Sequence, residues 1–219
     1  MSRILRLLSV LLLVVLAAAW GGAWLARAPG EGWAEAFARV VTGGAAPTPA
    51  SSAAVSLPSG VSLGGAFSMT DHTGRAVTDA DFRGRPALVF FGFTHCPDVC
   101  PTELATINAA LDLLGPAGEN VRPVFVSVDP ERDTPARLAD YVALFGPRVV
   151  GLTGTPEQVA AMARAFRVYY ARATPPGAGE YLMDHSAFTY LLGPDGTVRS
   201  LLRPGASPED VAAAVRQLG

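Results

Sequence analysis

The chain has no lysine. All 17 of its basic residues are arginine, set against 19 acidic ones and gathered into no basic cluster. From Gly60 onward, 13 arginines face 17 carboxylates and leave a charge of −4. A mildly acidic domain with no basic stripe argues against nucleic acid as a partner. Cysteine is scarcer still: Cys96 and Cys100 are the two in the chain. That is too few for an iron–sulfur centre. They also lie too close together to staple a fold, because a bridge around so small a loop contributes about 2 kcal/mol before strain is subtracted. No cysteine lies near the apolar N-terminus, which excludes a lipoprotein anchor. Histidine is limited to His72, His95 and His185, and there is no internal repeat.

One long uncharged run is present. Arg3 and Arg6 precede Leu7 to Ala26, which is long enough to cross a bilayer as a helix. The arginines favour an N-terminus inside and a C-terminal domain outside. Ala17-Ala18-Ala19 offers the alternative of a cleaved signal peptide, but the apolar run continues through Trp20, Trp24 and Leu25, which favours an uncleaved anchor. The expected organisation is an anchor over 1–27 with its N-terminus cytoplasmic, an Ala/Pro/Ser-rich tether over 28–60, and a domain over 61–219. That topology is single-pass in the inner membrane with the domain on the periplasmic side, an oxidising compartment in which two thiols form a bridge unless a reductant or metal holds them.

The domain alternates strand and helix signals. Phe67 to Thr70 and Arg75 to Val77 flank a polar turn and predict a hairpin containing His72, which reads as a solvated loop residue. Ala87 to Thr94 is a continuous apolar run, as in a buried central strand. A helix is expected from Pro101, with Leu104, Ile107, Leu111 and Leu114 on one face. Val121 to Val128 predicts the next strand. Asp133-Thr134-Pro135 opens a helix with Asp133 as its cap. A third strand (149–152) and helix (from Thr155-Pro156) follow, then a hairpin over 188–202 and a last helix capped at Ser207. The pattern predicts an α/β fold of the thioredoxin-like kind, a central mixed sheet flanked by helices with the thiols at the carboxyl end of the first long strand.

Chemistry concentrates at Cys96 and Cys100. A thiol at a helix N-cap, as expected for Cys100, is favoured as thiolate, and two soft thiolates select Cu(I) or Zn(II). Among the histidines, His95 abuts Cys96 on an extended chain and so aims to the opposite face, where it can tune or shield the site. His185 belongs to a loop facing the cysteines, and spacing alone favours a hydrogen-bonded loop histidine over a ligand. Asp129 sits in a turn at the same sheet edge, readable as a turn-former, a docking contact or a group touching a ligand.

The run Gly92-Phe93-Thr94-His95-Cys96-Pro97-Asp98-Val99-Cys100-Pro101, then Val126-Ser127-Val128-Asp129-Pro130-Glu131-Arg132-Asp133-Thr134-Pro135, then Asp184-His185-Ser186 occur in that order. Together they resemble the Sco/SenC family of copper chaperones, over essentially all of the domain from Gly64. The resemblance implies a single membrane anchor and one copper per chain, Cu(I) or Cu(II), held by Cys96, Cys100 and His185. It also implies assistance in assembling the binuclear copper (CuA) centre of cytochrome c oxidase subunit II, with room for another copper protein as donor. The alternative is a thiol–disulfide oxidoreductase using Cys96 and Cys100 as its redox pair. Against it, thioredoxin-type reductases have two residues between their cysteines rather than three, and a proline where this chain has Asp184-His185-Ser186. A peroxiredoxin-type peroxidase is weaker again, because Thr94 stands two residues before Cys96 instead of three.

Overall fold

The computed structural model describes residues 6–11, 13–16, 20–21, 53–58, 60–174 and 180–218. It divides into two units, Met1–Ser52 and Ala53–Gly219. In the first, the described residues from 6 to 21 are helical and most of their aliphatic side chains are exposed. Among the described residues no helix is long and apolar enough to cross a membrane. Much of the span expected over 7–26, and most of the expected tether, lies outside the described residues.

In chain order the second unit contains strands β1 (Ala54–Ser56), β2 (Ser68–Asp71), β3 (Ala76–Thr78), β4 (Ala87–Gly92), β5 (Arg122–Ser127), β6 (Val150–Thr153), β7 (Tyr170–Ala173), β8 (Leu182–His185), β9 (Thr189–Leu192) and β10 (Val198–Leu202). Its helices are α1 (Val99–Leu113), α2 (Pro116–Glu119), α3 (Pro135–Ala143), α4 (Pro156–Phe166) and α5 (Pro208–Arg216). Eight strands form one sheet in the order β1-β10-β9-β4-β5-β6-β2-β3. The β4, β5 and β6 core is parallel and the flanking pairs are antiparallel. This is the mixed sheet the alternation of elements predicts.

β4 is buried along its whole length. Period-two alternation sends Phe90 and Phe91 to opposite faces. Phe90 packs beside Phe125, which meets Tyr141 of α3, whereas Phe91 packs on Phe166 of α4 and on Tyr190. α1 lies against α5. Thr134, Thr155 and Ser207 each cap a helix, accepting the backbone N–H three residues on, with proline in the first turn.

Four details differ from the sequence reading. Ala54–Ser56, within the expected tether, pair with β10 as an edge strand; three residues are too few to carry a hydrophobic period. α1 begins at Val99 rather than Pro101, because the first N–H groups of a helix lack intrahelical acceptors and a proline there forfeits nothing. β7 and β8 form a separate antiparallel hairpin that the sequence does not announce. His72 is half-buried rather than solvated, and its Nδ1 accepts the Gly151 N–H at 3.1 Å.

Candidate metal centre

β4 ends at Gly92, and the chain turns through Phe93 to Cys96 before entering α1. Gly92 is dictated by crowding: a Cβ there would stand 2.8 Å from the Cys100 Sγ and 2.8 Å from the Phe125 ring. Cys100 lies inside the first turn of α1 instead of at its cap, with Asp98 in the cap position. The capping role passes to sulfur, since the Cys100 backbone N–H donates to the Cys96 Sγ at 3.4 Å.

The loop is moored from below by Asp133. This carboxylate is fully buried and accepts from the Thr94 N–H at 3.0 Å, the Thr94 hydroxyl at 2.7 Å and the Ser127 hydroxyl at 2.6 Å. The reading of Asp133 as a helix cap is therefore overturned. Thr134 caps α3, and Asp133 turns inward because Thr94 and Ser127 offer it three donors.

His185 arrives from β8, as the last residue of a strand paired with Tyr170 rather than in a loop. Its ring stands edge-on to Phe90 and Phe93, with centroids 6.0 and 5.9 Å away. Nδ1 lies 3.2 Å from the Ser186 carbonyl, which can only accept, so the proton sits on Nδ1. The Nε2 lone pair is left facing the Cys100 Sγ at 3.6 Å. The Cys96, Cys100 and His185 donor atoms all lie within 4.8 Å of one another. Metal–sulfur and metal–imidazole bonds of about 2.3 and 2.1 Å span up to about 4.6 Å between two donors of one ion, so donors within 4.8 Å of one another need only a small adjustment to share a single ion. Two sulfurs and one imidazole make a soft three-donor site that suits copper, whereas structural zinc asks for four ligands.

The thiols are unlike. Cys96 is half-buried, and hydrogen bonding, first of all from Cys100, lowers its thiol pKa to about 4 despite partial burial. Cys100 is fully buried. Its hydrogen bond to Cys96 and its desolvation push its pKa far up, so it keeps its proton.

Asp129 is buried and lies outside the three-donor cluster. It accepts the Tyr181 hydroxyl at 2.8 Å and the Arg132 Nε–H, while Arg132 Nη1 donates to the Tyr181 carbonyl at 2.9 Å. The Arg132 guanidinium covers the Tyr181 ring at 3.7 Å, and Arg172 lies 4.5 Å from the same ring while pairing with Glu131. The 129–133 turn thus holds the histidine hairpin through Asp129 and the cysteine loop through Asp133. His95 also lies outside the cluster. The Thr94 hydroxyl spends its proton on Asp133, so His95 Nδ1–H donates to that oxygen at 3.2 Å. Sequence reasoning missed Gly92, Tyr181 and Arg132, none of which carries a local signal of its neighbours.

Comparisons with known proteins agree on one family. A profile of the SCO1/SenC family matches residues 56–219. Protein sco1 of Schizosaccharomyces pombe is 44% identical over 156 residues, 70% of this chain and 59% of that protein. The chain thus spans little more than half the length of the first curated relatives it matches. Protein SenC of Rhodobacter capsulatus is 45% identical over 153 residues, 70% of this chain and 69% of that one. The copper-bound structure of Bradyrhizobium japonicum ScoI superposes with a TM-score of 0.66 at 43% identity, covering 72% of this chain and 99% of that chain. With the fold, the three-donor cluster and a family profile over most of its length in agreement, the chain belongs to the SCO1/SenC family.

Proposed function

We propose that this chain is a membrane-anchored copper chaperone that takes one copper ion through Cys96, Cys100 and His185 and passes it to the CuA site of cytochrome c oxidase subunit II. The observation that carries the reading is the convergence of two thiols and one imidazole within 4.8 Å, in a chain similar to a copper-bound ScoI. Copper is the cargo here. The half-buried Cys96 sulfur is where an incoming donor or acceptor protein exchanges ligands, and buried Cys100 and Phe-flanked His185 hold the ion meanwhile. The anchor over residues 1–27, the inner-membrane location and the periplasmic domain rest on Arg3, Arg6 and the uncharged run that follows. Another copper protein is a suitable donor, given that Cys96 is open to exchange.

The unlike thiols favour a second reading. A half-buried thiolate beside a buried protonated partner is the arrangement of an attacking and a resolving cysteine, as in a thiol–disulfide oxidoreductase that keeps a target's cysteines reduced. Anaerobic titration of the reduced protein with Cu(I), repeated after alkylation, tests the chaperone reading. One tightly bound copper per chain, abolished by alkylation, is expected, and tight stoichiometric binding after alkylation would refute it. His185→Ala separates the two functions. It should lose the thiolate-to-Cu(II) absorption band and copper transfer, since Cu(II) leans on imidazole, yet keep exchange with small disulfides.

A further inference from the structure

Glu103 lies on the buried face of α1 with Cys100, Leu104 and Ile107, and is 5% exposed. Glutamate is seldom buried so deeply, and a carboxyl taken out of water is costly unless hydrogen bonds offset the loss. A leucine of similar size would fill the same place on the helix without desolvating an acid. What the carboxyl adds is a bond to Thr189, itself fully buried, whose hydroxyl donates to it at 2.7 Å. Thr189 is the point at which the chain beyond His185 enters the main sheet. It opens β9, and its backbone pairs with Phe90 on one side and Leu202 on the other. Residues 186–188, between His185 and Thr189, belong to no strand or helix.

Glu103 stands three residues after Cys100, on the same face of α1. The helix and the arm that carries the histidine therefore meet twice, at Cys100 and His185 (3.6 Å) and at Glu103 and Thr189 (2.7 Å). We propose that Glu103 is a positioning residue of the metal centre, its carboxyl holding Thr189 so that the arm keeps His185 against the cysteine helix. The inference rests on the copper reading of the site. The Asp129–Tyr181 bond restrains the chain ahead of His185, and the Glu103–Thr189 bond restrains the chain behind it. Both sulfurs belong to the cysteine loop and the start of α1, so they keep their places when the arm loosens, whereas the imidazole does not. Two thiolates alone can hold Cu(I), but Cu(II) leans on the imidazole. The tie thus matters far more to the oxidised ion than to the reduced one.

The test pairs Glu103→Leu, which keeps the helix face apolar, with Thr189→Val and with the double variant. In each, Cu(II) affinity should fall about tenfold, the equivalent of one hydrogen bond, and the thiolate-to-Cu(II) band should weaken. Cu(I) affinity, by competition with a chromophoric chelator, should stay nearly level. The double variant should lose no more than either single one, and Glu103→Gln, which still accepts from the Thr189 hydroxyl, should retain the band. Hydrogen exchange at 186–189 of the metal-free protein should quicken in every variant but Glu103→Gln. An unchanged band and Cu(II) affinity in Glu103→Leu would overturn the proposal. So would Cu(I) and Cu(II) affinities that fall together with the thermal midpoint, which would mark Glu103 as support for the helix alone. Should Glu103→Leu fail to fold, Thr189→Val reads the same bond by itself. A missing band in the unsubstituted protein would overturn the copper reading and this role with it, whereas a normal band there that survives in the variants overturns the role alone.

Discussion

Cys96 and Cys100 share a side chain and differ in protonation, because one sulfur is half-buried and receives hydrogen bonds while the other is sealed beneath the helix start. The sign of each shift sets a labelling experiment. A lowered pKa leaves Cys96 as thiolate at every pH above about 4, losing it only as pH falls through that value; a raised one leaves Cys100 a thiol at neutral pH. Iodoacetamide should therefore modify the reduced, metal-free protein once, at Cys96, at a rate flat across neutral pH. Peptide mapping that found both sulfurs labelled equally would contradict the asymmetry. Gly92 makes a steric prediction at the same scale. Gly92→Ala forces a methyl onto the Cys100 Sγ and the Phe125 ring, and overpacking of this kind costs about 1–3 kcal/mol. Its unfolding midpoint should fall and its Cu(I) affinity with it; an unchanged affinity would show that the sulfur has room to move. Sequence alone exposed the thiols, because a cysteine pair is rare and chemically specific. It left His185 ambiguous on spacing, since an imidazole 85 residues from Cys100 becomes a ligand only when the fold folds it back.

The turn from Asp129 to Asp133 does more than connect β5 to α3. One end grips the cysteine loop at Thr94, and the other holds the β7–β8 hairpin at Tyr181. Because that hairpin is a two-stranded sheet unpaired with the main one, its position over the thiols depends on such side-chain ties. Tyr181→Phe removes one hydroxyl donor to a carboxylate, a bond of about 1.5–3 kcal/mol. Hydrogen exchange in 182–185 should quicken and Cu(II) affinity should drop, with the global unfolding midpoint nearly unmoved. A large loss of global stability would mean that the hairpin supports the core instead of resting on it. Legibility follows the same division. The parallel core and its helices were readable because apolar runs such as Ala87 to Phe93 and the Thr-Pro and Ser-Pro starts are local signals. The hairpin was not, because β7 and β8 are short and largely half-exposed and bear no alternation. Asp133 was misread for a related reason: Asp-Thr-Pro is a local capping signal, whereas Thr94, which claims the carboxylate, lies 39 residues away.

At the scale of the whole molecule, a metal and a disulfide would tie this chain together very differently. A Cys96–Cys100 bridge closes a loop of a few residues and constrains little of the unfolded chain, contributing about 2 kcal/mol at most. A metal on Cys96, Cys100 and His185 joins α1 to the β7–β8 hairpin across 85 residues of sequence. It also binds the folded chain in preference to the unfolded one, so it stabilises by mass action, about 2.7 kcal/mol at a free ion concentration a hundredfold above Kd. Three states of the protein should therefore separate in a thermal scan. The reduced metal-free and oxidised forms should melt close together, and the Cu(I)-loaded form should melt several degrees higher. Hydrogen exchange should report the same order locally. The loaded form should protect 182–185 beyond the other two, because the metal bonds His185 to both sulfurs, whereas the bridge leaves the hairpin no better held than in the reduced protein. The bridge also removes the thiolates that coordination requires, so copper added to the oxidised protein should produce neither effect until a reductant is supplied. Equal protection of the hairpin in the oxidised and loaded forms would mean that His185 is held by the fold alone and that the metal adds no cross-link.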